Sequence, residues 1–243
     1  MPAPFLSIVI PAHNEERRLA ATLTIIADFC ATQSYSVEVL VIENGSADRT
    51  AELARSFQPQ MPQLRVFQEA QAGKGLAVRR GMLEAIGEYR FICDADLSMP
   101  IAEVTHFIPP ALPDMDIAIA SREAPGAVRY DEPPFRHLTG RVFNAVVRWM
   151  ALPGLQDTQC GFKCFRAAVA QDVFQRQTLK GWAFDVEVLF IARRLGYRVA
   201  EVPIHWYFDS HSQVRVFRDT WRMLRELVSI RRNAARGIYD RQA

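Results

Sequence analysis

The chain has 243 residues, 49% of them hydrophobic, and a formal net charge of +2. Such a length and apolar content suit one sizeable core with at most an appendage. The near-neutral charge excludes a protein that binds nucleic acid by bulk charge, and no stretch approaches the ~20 apolar residues of a membrane span.

The N-terminal run in MPAPFLSIVIPAHNEE is too short for a signal-peptide core. Leu6 to Ile10 is β-branched and followed by turn residues, which predicts a buried strand. NEERRLAATLTIIADFC then places Leu19, Leu23, Ile26 and Phe29 at helical spacing. Val37 to Ile42 predicts a second strand, and SADRTAELARSF a helix capped by Ser46 or Asp48. A third strand starts at Leu64, a helix begins in GKGLAVRRGMLEAI, and YRFIC and Asp116 to Ser121 predict a fourth and a fifth strand. The segment Ala124 to Pro134 (APGAVRYDEPP) is expected as a mobile loop. Alternating helices and continuously apolar strands predict an α/β fold, a mostly parallel central sheet covered on both faces.

The four cysteines, Cys30, Cys93, Cys160 and Cys164, form no CxxC pair. Reduced thiols of a cytosolic protein are expected, and Cys160 with Cys164 alone makes a poor zinc site.

In parallel sheets ligands bind beyond the carboxyl ends of the strands. The polar clusters fall there: PAHNEE after the first strand, ENGSAD after the second, DADLS after the fourth. GKGLAV fails as a dinucleotide fingerprint, because Val78 stands at the third glycine and the segment does not follow the first strand; GxxxxGK[ST] is absent. Asp94 and Asp96 are two apart and share a face. Two carboxylates aimed at one place repel unless a cation sits between them, and oxygen ligands suit Mg²⁺ or Mn²⁺ completed by phosphate oxygens. Alone, such a pair also occurs in solvated loops.

The motifs IVIPAHNEE, VIENGSADRT, GKGLAVRRG, CDADLSMP, DTQCGFKCF and GWAFDVEVLFIARRLGYRVAEVPIHW occur in this order. Over nearly the whole chain this set resembles the inverting family 2 glycosyltransferases of the GT-A fold. It is most similar to the polyprenyl-phosphate group, the dolichyl-phosphate β-glucosyltransferases and dolichol-phosphate mannose synthases. The resemblance implies that Pro11, Ala12, Asn14 and Glu15 line the nucleoside end, with Asn44 and Gly45 beside the base. It implies Lys74 near the diphosphate, Asp94 and Ala95 at the ribose or sugar, and Asp96 on the metal, Mg²⁺ or Mn²⁺. Two departures stand out. Glu43 and Asn44 replace the family's usual aspartate pair, and Ser98 stands where mannose synthases often carry glutamine. The second leans toward UDP-glucose as donor, with GDP-mannose next.

A phosphate-monoester acceptor, with a second pKa near ~6, is largely ionised at neutral pH and needs positive groups more than a base. Arg122 and Arg136 match the group's acceptor-phosphate arginines, with Arg141 and Lys163 as further candidates. A cation at a helix start, as at Arg136, is unfavourable unless an anion is present. Asp157 stands where the family places its catalytic carboxylate, although a turn cap is an equal reading; Asp185 is its rival. Glu187 and Asp185 also read as anchors for a loop above the site. His13 and His205 read as hydrogen-bonded spacers, and Trp182 and Phe184 as sugar-stacking, lipid-facing or core residues. A family 2 enzyme acting on a glycan hydroxyl is the alternative, and a nucleotide-sugar-binding protein without catalysis a third reading.

Two units are expected: a GT-A domain over 1–212 and a basic amphipathic helix and tail over 213–243. In the tail Phe217, Trp221, Leu224 and Val228 recur at helical spacing beside Arg215, Arg218, Arg222 and Arg225, the pattern of a helix in a membrane interface or on a core. A helix from His137 to Met150 carries a similar stripe of Leu138, Val142, Val146 and Trp149. The expected partners are a nucleotide-diphosphate sugar, a polyprenyl phosphate and the membrane surface, at the cytoplasmic face.

Overall fold

The computed structural model describes residues 3–208 and 216–241. Four strands, β1 (Leu6–Ala12), β2 (Val37–Asn44), β3 (Leu64–Glu69) and β4 (Tyr89–Ile92), run parallel in the order β3-β2-β1-β4. They are linked by α1 (Leu19–Thr32), α2 (Thr50–Ser56) and α3 (Lys74–Glu84). Beyond β4 the sheet continues with β7 (Lys163–Arg166), β5 (Ile117–Ser121) and β8 (Val199–Pro203). Of these seven strands β7 alone is reversed, antiparallel to both β4 and β5.

The strands read as continuous apolar runs because both faces are covered. Leu6, Ile8 and Ile10 of β1 join Val39 and Val41 of β2 in one core with Leu19, Leu23 and Ile26 of α1. Val9, Leu40 and Ile42 point to the opposite core with Ala77, Val78 and Met82 of α3. That second core also holds α5 (Ala167–Arg176) and α6 (Phe184–Arg194). The GT-A arrangement expected from the resemblance is thus the fold observed.

Three local features differ from expectation. β7 has only four residues, with Lys163 and Arg166 at its ends, so neither length nor alternation marks it as a strand. The expected loop at 124–134 contains β6 (Val128–Tyr130), which pairs in parallel with β9 (His205–Tyr207). The next helix, α4 (Pro134–Met150), starts three residues before His137, with proline in the first turn where its missing N–H costs nothing.

The last helix, α7 (Val216–Ala235), buries Met223, Leu227, Ile230 and Ala234. Leu227, Ile230 and Ala234 join the α3–α5–α6 core, with Leu224 packed against it, whereas Val228 is 57% exposed. Arg215 lies outside the described residues, as do the side chains of Phe217, Arg218, Trp221 and Arg222. Past the helix, buried Tyr239 donates its hydroxyl to Glu187 Oε1 at 2.7 Å. Glu187 also accepts from Thr178 N and Leu179 N at 3.0 and 2.8 Å, so it anchors the 178–179 loop, as expected.

Close approach of α3 to the sheet sets where Lys74, its first residue, arrives. At Gly81 an added Cβ would lie 2.3 Å from Val9 Cγ1 and 2.9 Å from Ile42 Cγ1. Both neighbours are stiff, fully buried β-branched side chains. Gly81→Ala should therefore lower stability: overpacking costs about 1–3 kcal/mol, against at most about 1 kcal/mol of helix propensity gained. A lower urea midpoint with unchanged slope is expected; a higher midpoint would show that α3 stands farther from the sheet.

Candidate active site

The loops after β1, β2 and β4 converge at the carboxyl edge of the sheet, and the first two are stitched together. Asn14 sits in the left-handed region (φ 56°), which asparagine tolerates. Its Oδ1 accepts from Ala47 N at 2.8 Å and its own N–H donates to Ser46 Oγ at 3.0 Å. Glu15 N donates to Thr50 Oγ1 at 2.8 Å, and His13 Nδ1 lies 2.7 Å from the Asn44 carbonyl oxygen. Pro11 and Ala12 end β1 opposite Ile42 and Glu43. Glu43 is buried and accepts from Ser46 N at 2.6 Å, while Asn44 is buried beside it. Gly45 has φ +66°, which strains any side chain, and a Cβ there would lie a tight 3.0 Å from Ala72 N.

The carboxylate pair follows β4. Asp94 Oδ1 lies 2.6 Å from Lys74 Nζ. Gly161 packs so tightly on the other oxygen that a Cβ there would sit 2.0 Å from Asp94 Oδ2. Ala95 is held through its carbonyl by Thr22 Oγ1 at 2.6 Å. Asp96 Oδ1 accepts from Ser98 N at 3.0 Å, and Leu97 between them takes φ 47°. A leucine in that region stores strain, and such strain clusters at functional sites.

Charge is concentrated here. Burial, then the Asp94 charge, raises the Asp96 carboxyl above its ordinary value. Burial also raises Glu15, with Asp96 and Asp94 adding to it against its ion pair with Arg18. Lys74 is largely but not fully buried, which disfavours its charge, yet Asp94 and Asp185 hold its pKa above the usual lysine value. Among the described residues no group of three or more His, Cys, Asp or Glu side chains forms a ready-made metal cage. The site offers a cation two carboxylates and would need further oxygens from a ligand, the habit of Mg²⁺ and Mn²⁺ at phosphates.

Across the sheet end, Arg122 follows β5 and grips Asp157. Its Nε lies 2.7 Å from Oδ2 and its Nη2 3.0 Å from Oδ1, and Arg122 N adds a third bond at 3.1 Å. The Asp157 side chain has no solvent exposure. Burial alone would raise its pKa; the Arg122 charge and bonds hold it at about 2. The Asp157 loop is fixed in turn by Glu201 of β8, whose carboxylate accepts from Gln156 N at 2.8 Å and Asp157 N at 2.9 Å. The Arg122 guanidinium stacks 5.3 Å over Trp206, and that of Arg136, in the first turn of α4, 4.9 Å over Phe208.

Lys163 does not join the acceptor side. It begins β7 opposite Ile92, the last residue of β4, and Ile119 of β5, and is fully buried. Its Nζ is 2.6 Å from Asp185 Oδ1 and donates to the Cys160 carbonyl at 2.6 Å, so no nitrogen faces an incoming phosphate. Asp185, the rival carboxylate, is the partner in that ion pair. His205 pairs with Glu103 at 3.2 Å, and Trp182 lies 5.2 Å from Lys74 Nζ. All four cysteines are free thiols; burial pushes Cys160 up to about 12, and its Sγ contacts Met99 Sδ at 3.3 Å. Gly161, Leu97 and Glu201 carry no signal of their own in the sequence. Gly161 lies inside the DTQCGFKCF motif, but only the fold brings it against Asp94.

Residues 7–174 match the model of glycosyl transferase family 2. The dolichyl-phosphate beta-glucosyltransferase of Dictyostelium discoideum is 31% identical, over 97% of this chain and 76% of that protein. The Drosophila melanogaster protein of the same name is 32% identical, over 94% and 75%, and the human one 30%, over 95% and 76%. Among solved structures, glucosyl-3-phosphoglycerate synthase from Mycobacterium tuberculosis, in complex with Mn²⁺ and uridine-diphosphate-glucose, superposes with a TM-score of 0.64. It is 20% identical, covers 93% of this chain and 77% of its own, and shares the fold. The family match spans well over half of the chain and includes the loops of Asn14, Asn44, Asp94 and Asp157: this chain belongs to glycosyl transferase family 2.

Proposed function

We propose that the protein transfers glucose, with inversion, from UDP-glucose to a polyprenyl or dolichyl phosphate. The relatives named above support the donor sugar and the lipid phosphate. The observation that carries the choice of acceptor is the state of Asp157. A buried carboxylate with a pKa of about 2, bound on both oxygens by Arg122, is a poor base for a sugar hydroxyl. An ionised phosphate needs no base. It needs cations, and Arg122 and Arg136 are the candidates, with Asp157 orienting Arg122. Asp157 takes the Nε and Nη2 edge of that guanidinium, so the Nη1 edge is the one offered to an anion.

On the donor side Asn14, Glu15, Asn44 and Gly45, with Pro11 and Ala12 beneath, would cradle the nucleoside. Asp94 would hold ribose or sugar hydroxyls and Lys74 the diphosphate. Asp96 would hold a divalent cation, Mg²⁺ or Mn²⁺, which when bound stabilises charge on the departing diphosphate. The raised Asp96 carboxyl fits that role, because burial beside Asp94 leaves it short of positive charge. GDP-mannose is the second donor to test. A lipid acceptor would be met at a membrane surface, on the cytoplasmic face; no helix among the described residues is long and apolar enough to cross a membrane.

Arg136→Ala separates acceptor from donor roles without stranding a buried carboxylate, as Arg122→Ala would. Transfer to a prenyl phosphate should fall roughly 10- to 100-fold, the value of a charged hydrogen bond. Slow hydrolysis of the donor by water should persist. Equal loss of both would assign Arg136 to the donor or the fold. Gly161→Ala tests the placement of Asp94: the Asp94 side chain must swing away, so KM for the donor should rise at least about tenfold if one charged hydrogen bond is lost. Wild-type KM with unchanged stability would remove Asp94 from donor binding.

A further inference from the structure

α4 buries Asn144 and Val147 on one side. On the other, Phe135, Leu138, Val142 and Trp149 are 64%, 60%, 58% and 86% exposed. Steps of three, four and seven residues align them in one stripe about 21 Å long at 1.5 Å per residue. Single exposed apolar side chains need no explanation, but a contiguous stripe does. The 17 residues of α4 include Arg136, Arg141 and Arg148 and no Asp or Glu. Arg141 is exposed beside Val142. Val228 and Arg225 of neighbouring α7, and Val128 and Tyr207 of the β6–β9 ladder, are also exposed.

We infer that this face of α4 rests on an anionic bilayer, with the stripe inserted at the boundary of headgroups and acyl chains. Three observations select a membrane as occupant. The arginines, on a helix that contains no Asp or Glu, complement anionic headgroups. An exposed tryptophan at one end and phenylalanine at the other suit an interfacial helix too short and too polar to span. The first turn of the same helix carries Arg136, so a docked α4 holds that guanidinium at the level where lipid phosphates lie. The inference rests on the lipid-phosphate reading of the acceptor and names the surface that delivers it.

Cosedimentation with phosphatidylcholine vesicles, with and without phosphatidylglycerol, tests it. The intact protein should bind the anionic vesicles at low salt and release at high salt. Leu138→Glu and Trp149→Glu, both at exposed sites, should each lower partitioning roughly tenfold or more, since each removes a large apolar side chain from the interface. On a short, water-soluble prenyl phosphate both variants should keep wild-type turnover, while use of a vesicle-embedded long-chain acceptor should fall with partitioning. Wild-type protein that stays in the supernatant, or variants that bind like wild type, would overturn the inference. So would a dimer that Trp149→Glu dissociates, because a second copy would then cover the stripe. Failure of the wild type on the short acceptor would count against the acceptor reading instead, and vesicle binding would still decide the role of α4.

Discussion

Four charges meet where β4, β7, α3 and α6 come together, and the geometry of the site depends on their pairing. Lys163 of β7 binds Asp185 of α6, and Lys74 of α3 binds Asp94 after β4, each at 2.6 Å. Asp185 also acts on Lys74, so the two pairs support one another. A buried charge without its partner is costly, on the order of 3–5 kcal/mol when one member of a pair is removed. The reversed strand β7 brings Lys163, its first residue, beside the carboxyl end of β4. Gly161, two residues earlier, gives Asp94 the space it occupies. The position of Asp94 is therefore set by a strand, two helices and a glycine, and not by its own loop alone.

A second pair performs the same service on the other side. Buried Asp157 holds its charge against the partly exposed Arg122, and Glu201 fixes the loop that carries Asp157. This pairing removes Asp157 as a ready base and keeps a guanidinium fixed at the sheet end. Preorganised charge of this kind usually contributes more to catalysis than any other single effect. It suits an acceptor that is already an anion. On the proposed reading the two sides would divide the work: carboxylates, Lys74 and a divalent cation for the donor diphosphate, arginines for the acceptor phosphate.

Much of this was legible in the residues. Continuous β-branched runs at Leu6, Val37 and Asp116 marked buried strands, and polar clusters after three strands marked the rim. Spacing put Asp94 beside Asp96 and a motif singled out Lys74, which the fold brings to Asp94. What escaped depended on contacts distant in sequence. Lys163 looked like a free cation because nothing local says that Asp185 faces it. β7 escaped because four residues bracketed by basic side chains carry no strand period. The 124–134 segment looked like a loop because its partner, β9, lies about 75 residues further on. Of the tail stripe, Leu224 packs on the second core and Val228 is exposed, and the described half of α7 buries Met223, Leu227 and Ile230.

The most direct measurement is the identity of the product. Purified protein would be incubated with UDP-glucose, Mn²⁺ and a short prenyl phosphate that carries ¹⁸O in its phosphate, and the product examined by mass spectrometry and NMR. Attack by the acceptor phosphate predicts a β-glucosyl phosphoprenol that retains all the label, with one UDP released per product and no product after chelation of the metal. Glucose found on a sugar hydroxyl offered in the same mixture, with the prenyl phosphate left unchanged, would contradict it.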